Sequence, residues 1–155
     1  MDSSKPVLIA YDGSEGSKAA IDAAGRLFPD RRAIVVSVWH SAGAAAPASL
    51  IAIPAAVASR AYEELDSESE RQAAARVAEG VAAAEAAGLE ASGEAVLCAG
   101  KVWATIVNAA DEADAQAIVV GSRGLSAVKS ALVGSVANGV LHHSTRPVVV
   151  APTAG

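Results

Sequence analysis

The stretch Ala117-Ile118-Val119-Val120-Gly121-Ser122-Arg123-Gly124 decides the fold. It opens as a short, uninterrupted apolar run rich in β-branched residues, the composition of a strand buried on both faces of a parallel sheet. It ends in a tight turn flanked by Gly121 and Gly124. Toward the C-terminus, Gly134 and Ser135 open a helix expected to reach His143, although Gly139 is unfavourable inside it. Pro147-Val148-Val149-Val150 reads as a last strand. Toward the N-terminus, Val102 to Ala113 reads as a helix with Ile106 on its inner face, preceded by a strand Ala95-Val96-Leu97-Cys98. Before that, Tyr62 to Ala87 reads as a long helix with Leu65, Val77, Val81 and Ala84 on its apolar side and Gly88 as C-cap. Ala33 to Trp39 is expected to be a strand, and Ser17 to Leu27 a helix that places Ala20, Ile21, Ala24 and Leu27 on one face and stops before Pro29. Val7-Leu8-Ile9-Ala10 is the first strand, ended by the turn Asp12-Gly13-Ser14.

Strands that alternate with helices imply right-handed crossovers, hence an α/β fold with a five-stranded parallel sheet covered by helices on both faces. The 155 residues suit one domain with one core, and no linker or repeat divides them. Aromatics make up only 3% of the chain, so the core must be filled by Ala and β-branched side chains packed closely, which favours α/β over a β-sandwich. The uncharged segment from Ala33 to Ser59 is long enough to span a membrane, but Pro47 and Pro54 interrupt it and its first part is strand-like. A strand followed by a long apolar loop is the expectation, with no membrane involvement.

The net charge is −5, and no cluster of basic residues is longer than Arg31-Arg32, which argues against a nucleic-acid partner. An anionic ligand would have to be held by local backbone dipoles and a few cations. Cys98 is the only cysteine, so an intrachain disulfide and a multi-cysteine metal site are excluded, and it reads as a small core residue. The N-terminal apolar run is too short and wrongly flanked for a secretory signal, so a cytoplasmic location is expected.

In open parallel sheets, ligands bind beyond the carboxyl ends of the strands where the strand order reverses. Two turns fall at that edge, Asp12-Gly13-Ser14 and Gly121-Ser122-Arg123-Gly124. Glycines allow positive φ, expected at Gly124, and let a backbone approach a ligand closely, and a helix N-terminus offers unpaired N–H groups and a positive dipole end. Gly121, Gly124, Gly134 and Ser135 together therefore make a phosphate cradle, to which Arg123 could add a cation. The same residues also suit an ordinary loop and N-cap, Asp12 suits a turn that bonds its own backbone, and Arg123 suits a solvated loop charge. Other phosphate motifs fail: Val128 stands where a P-loop before Lys129-Ser130 needs its second glycine, and Gly100-Lys101 is followed by Val102.

Gly121-x2-Gly124-x9-Gly134-Ser135, between the strand Ile118-Val119-Val120 and Arg146-Pro147-Val148-Val149-Val150, resembles the C-terminal signature of the universal stress protein family. Asp12-Gly13-Ser14 after the first strand resembles the family's first loop, and Ala99-Gly100-Lys101 before a helix with Ile106 its middle segment. The resemblance covers nearly the whole chain and departs from the family in the Ala/Pro-rich segment Ala42 to Ala58. It implies a Rossmann-like fold of the adenine nucleotide alpha hydrolase type and the ATP-binding class of the family, which keeps the glycine signature. By resemblance, Gly121, Ser122, Arg123, Gly124, Gly134, Ser135 and the N–H of Val136 would hold ribose and phosphates. Asp12 would help hold Mg²⁺, and Ala10, Tyr11, Val38 and Val120 would line the adenine pocket. The implied role is that of a regulatory module in the stress response.

The rival readings are a slow ATPase or adenylyl-transferring enzyme and a nucleotide-free dimeric scaffold. Beyond Asp12 the cleft edge offers no clear general base, and no G-x-S-x-G elbow is present. His142 and His143 suit the C-terminal dipole end of the last helix, and His40 lacks neighbours for a metal site. Trp39 and Trp103 read as packing residues. Strand five, Pro147 to Val150, is apolar throughout, and as an edge strand it is expected to pair with its mate in a homodimer.

Overall fold

In the computed structural model, the structure describes residues 2, 4–44, 53–124 and 133–153. The core of the Ala/Pro-rich segment, residues 45–52, and residues 125–132, with Lys129 and Ser130, lie outside the described residues.

The elements run β1 (Val7–Ala10), α1 (Glu15–Leu27), β2 (Arg32–Trp39), α2 (Ala55–Ala86), β3 (Glu90–Leu97), α3 (Val102–Glu112), β4 (Ala117–Gly121), α4 (Ser135–His143) and β5 (Val148–Ala151). The five strands form one parallel sheet in the order β3-β2-β1-β4-β5, as the alternation predicts. Successive side chains of each strand serve opposite faces. Val7, Ile9, Ala33, Val35 and Val119 meet α1 and α2 residues such as Ile21, Ala24 and Ala84 in one core cluster. Leu8, Val36, Ile118 and Val120 meet Ile106 and Ala109 of α3 and Ala137 and Val140 of α4 in the other. The chain runs from β1 outward to β3, then crosses to β4 on the opposite side of β1. The order reverses between β1 and β4.

Several boundaries differ from the sequence reading, each for a physical reason. β3 begins at Glu90 rather than Ala95, because it is an edge strand whose register with β2 runs from Arg32↔Glu90 to Trp39↔Leu97 and which tolerates polar residues on its exposed positions. α1 begins at Glu15 rather than Ser17, since Ser14 is the N-cap and its hydroxyl accepts from Ser17 N at 3.2 Å. α2 begins at Ala55, so the expected loop gives way to helix earlier than Tyr62. Every buried residue of α2 lies from Ala73 onward, and its first half runs past the sheet; Leu65, expected inside, is 54% exposed. Leu27 is likewise 58% exposed, and Phe28 takes the core position in its stead.

α2 ends as the sequence suggests. Gly88 has φ +87°, Gly88 N donates to Glu85 O at 3.0 Å and Leu89 N to Ala84 O at 3.1 Å, the paired closing bonds of a glycine C-terminal cap. Gly139, the unfavourable residue in α4, is required by packing: a Cβ there would overlap the Trp103 side chain of α3. The Trp103 ring also stacks on His143, centroids 4.0 Å apart. Below the sheet, Arg146 bonds Asp111 at 2.8 Å, Asp114 at 3.3 Å and the Ala115 carbonyl, and Lys5 meets Asp114 at 2.7 Å. These contacts tie the start of β5 to the end of α3. Among the described residues, no helix is long and apolar enough to cross a membrane.

Candidate functional site

The reversal between β1 and β4 opens a cleft of about 580 Å³ at the carboxyl ends of the strands. Its apolar floor is Ala10, Val36, Val38 and Val120, with Val102 and Ile106 of α3 closing one side. Its polar wall is Gly121 to Gly124, then Gly134, Ser135 and Val136 at the start of α4. Asp12, Ser14 and Ser17 supply the first-loop side. All the residues assigned from sequence to a ligand, from Ala10 to Val136, thus border one cleft although they come from four elements and their loops.

Local hydrogen bonds explain how the wall is held. Ser122 N donates to Ala151 O at 2.8 Å, and Gly134 N donates to Ser122 O at 2.6 Å, which brings the start of α4 back against the end of β4. Gly134 is the N-cap of α4 in an extended conformation (φ −67°, ψ 161°), with no side chain capping the helix. The N–H groups of the first turn have no partner within the helix and head it at the cleft.

The glycines serve close approach rather than unusual dihedrals. The positive-φ glycines among the described residues are Gly13, Gly88 and Gly100, so Gly121, Gly124 and Gly134 need no left-handed backbone. The expectation of positive φ at Gly124 is corrected on this point. A Cβ on Gly121 would overlap the Gly16 backbone, and one on Gly16 would overlap the Arg123 carbonyl, so the first turn of α1 lies directly on the end of β4. A Cβ on Gly124 would stand 2.9 Å from Asp12 Oδ2. The two loops expected at the ligand edge therefore touch.

Asp12 Oδ1 accepts from Ser14 N at 2.9 Å, the turn its sequence suggested, with Gly13 at φ +81°. The same carboxylate borders the cleft. Tyr11 borders the cleft too, but it is 2% exposed, belongs to the α1/α2 core, and its hydroxyl donates to Glu79 Oε1 at 2.6 Å. Burial, then that bond, pushes the phenol well above its ordinary pKa, so it stays protonated.

Sequence reading put Ser14 in the edge turn without a ligand role, and gave no place at the cleft to Ser17, Val36, Arg76, Val102, Ile106, Val133, Ala137 and Asn138. Ser14 and Ser17 were visible as a helix start; Arg76 carried no signal, because it lies within an Ala/Glu/Arg-rich helix and only the packing of α2 on β2 and β3 brings it to the rim. No group of three or more His, Cys, Asp or Glu that could hold a metal occurs among the described residues.

A doubly wound parallel sheet whose switch-point cleft joins an apolar floor to a glycine-lined helix N-terminus defines an open α/β class. Within it, the chain belongs to the universal stress protein family, whose sequence profile matches residues 3–152. Universal stress protein YxiE of Bacillus subtilis (strain 168) is 30% identical over 144 residues, spanning 93% of this chain and 96% of that protein. Among solved structures, hypothetical protein MJ0577 superposes with TM-score 0.79 at 20% identity over 99% of each chain. A universal stress protein in complex with cAMP gives TM-score 0.65 at 24% identity, covering 99% of this chain and 100% of that one. A family protein from Arabidopsis thaliana with AMP bound gives 0.64 at 17% identity, over 97% and 93%. At these identities the structural likeness is one of fold.

Proposed function

We propose that the switch-point cleft binds an adenine nucleotide, ATP with Mg²⁺, and that the chain acts as a nucleotide-binding regulatory module of the stress response. The observation that carries this reading is the joining of the Gly121–Gly124 turn to the uncapped start of α4 across the Gly134–Ser122 bond, beside an apolar floor. Phosphates are favoured at such a helix start by its N–H groups and dipole. In this reading Gly121, Ser122, Gly124, Gly134, Ser135 and Val136 hold ribose and phosphates, with Arg123 as cation. Adenine lies against Ala10, Val38 and Val120, with Tyr11 as buried support. Relatives of the same fold carry cAMP and AMP, which supports an adenine nucleotide.

The residues fit a magnesium nucleotide. Mg²⁺ is commonly held by one or two carboxylates together with phosphate oxygens and waters, and Asp12 is a carboxylate at the cleft beside Gly124. The ion would neutralise phosphate charge in a protein of net charge −5. The chain is a single cytoplasmic domain in this reading. It forms a homodimer through β5, whose outer edge has no partner strand among the described residues and carries the half-buried Val148, Val149 and Val150.

Differential scanning calorimetry with ATP and Mg²⁺ tests the reading. Ligand at about a hundred times its dissociation constant adds roughly 2.7 kcal/mol and raises Tm. AMP, lacking the outer phosphates, stabilises less, and Asp12→Ala reduces the ATP effect. No shift with any adenine nucleotide overturns nucleotide binding, while phosphate release at enzyme-like rates that is lost in Asp12→Ala overturns the purely regulatory role.

A further inference from the structure

Arg76 is half-buried and borders the cleft from α2, which packs on β2 and β3. The glycine wall follows β4, on the other side of β1. Arg76 therefore meets a ligand from the end opposite the cradle. If phosphates occupy the cradle, that end holds the base, so the inference rests on the nucleotide reading above.

We propose that Arg76 is a specificity-determining residue that reads the edge of the base and extends the cleft to 6-oxopurine nucleotides, those of guanine and hypoxanthine. Ala10, Val36 and Val38 at the strand ends are apolar and the Tyr11 hydroxyl proton is committed to Glu79, while the polar Asp12, Ser14 and Ser17 belong to the first loop, which touches the cradle at Gly124. Arg76 borders the cleft and makes no hydrogen bond or ion pair among the described residues, so no carboxylate there engages its donors; the cleft's own carboxylate, Asp12, lies beside Gly124 at the cradle. A guanidinium donates and never accepts. It matches the paired O6 and N7 acceptors of a 6-oxopurine in bidentate fashion, whereas adenine places an N6 donor beside N7 and leaves it one acceptor on that edge. Glutamine at the same position would have the complementary pattern, an acceptor for N6 and a donor for N7.

Isothermal titration of the full chain with ATP, GTP and ITP, each with Mg²⁺, tests this. GTP and ITP should bind within about tenfold of ATP. Arg76→Ala should weaken GTP and ITP by about 5- to 150-fold, the worth of a lost bidentate base contact, and ATP by much less. Arg76→Gln should turn the preference toward ATP, and it keeps a long polar side chain if the alanine variant folds poorly. Equal weakening of all three nucleotides would make Arg76 a phosphate contact and overturn the proposal, as would unchanged affinities. Failure of the wild-type chain to bind any of the three overturns the nucleotide reading itself; strong wild-type binding of ATP without measurable GTP or ITP overturns only the base-edge proposal.

Discussion

A side chain at Gly124 is the sharpest perturbation of the cleft, because it acts where the two ligand-edge loops touch. A Cβ built there stands 2.9 Å from Asp12 Oδ2, about half an ångström inside ordinary contact. The backbone at Gly124 is not left-handed, so the substituted residue meets no dihedral penalty and the whole cost is steric. Alanine must push the Asp12 carboxylate aside and stretch its 2.9 Å bond to Ser14 N, which sets the start of α1. Valine adds two γ-carbons toward the cradle. Overpacking of this kind costs about 1–3 kcal/mol, which leaves the protein folded, while the ligand loses both the approach to the backbone and the placement of Asp12. Gly124→Val should therefore lower ATP affinity by more than tenfold, about 1.4 kcal/mol or more, and Gly124→Ala by less. Calorimetric titration beside a thermal melt of the free protein separates the two effects. Unchanged affinity in the folded valine variant would refute the close-approach reasoning.

Gly139→Val should destabilise by about 1–3 kcal/mol by driving α4 off Trp103, seen as a lower urea midpoint. Tyr11→Phe should cost about 0.5–1.5 kcal/mol for the lost bond to Glu79. Because burial raises the folded phenol above its ordinary 10.0, wild-type stability should hold below that pH and fall as pH rises beyond it, and the phenylalanine variant should lack this alkaline decline in urea titrations. Lys5 and then Arg146 hold the Asp114 carboxyl below its ordinary 3.8, so its contribution is present above that pH and is lost as pH falls through the folded value. Asp114→Asn, which tolerates the left-handed backbone at φ +47°, should therefore be less stable than wild type at neutral pH and lose less on acidification.

The fold was legible because each strand is a short apolar run closed by a turn, and alternation with helices admits few topologies. Boundaries were less so where exposure, not pattern, governs. The first half of α2 lies clear of the sheet, so its apolar positions carry no information about burial, and Leu65 reads as core while standing in solvent. Edge position hides β3 in the opposite way: Glu90 and Glu94 make the stretch from 90 to 94 look like loop, although backbone pairing with β2 extends through it. The cleft residues next to turns could be found because glycine, Asp-Gly and helix starts leave marks in sequence. Arg76 could not, since what distinguishes it from Arg71 on the same helix is only which neighbour stands across from it: Arg71 pairs with Glu68, and Arg76 faces the cleft.

The glycines illustrate a further limit of reading a signature by its ligand. Gly121 belongs to the pattern that suggests a phosphate cradle, yet its nearest neighbour is Gly16, and each of the two excludes a side chain so that α1 can rest on β4. Packing alone would demand glycine at both positions whether or not anything binds. Gly134 is different: a Cβ there would lie 3.2 Å from Ser122 O, a tight contact with the backbone oxygen that already accepts the Gly134 N–H. The case for glycine at Gly124 is different again, since the obstacle is the Asp12 carboxylate, itself a cleft group. Of these positions, Gly124 is the one at which structural tolerance and ligand demand part company. A chain that bound nothing could accept alanine there at modest cost, whereas Gly16→Ala would disturb the helix-to-strand contact in either case. Comparing the two substitutions for stability and for ATP affinity thus separates what the signature contributes to the fold from what it contributes to the site: Gly16→Ala should lose both, and Gly124→Ala mainly affinity.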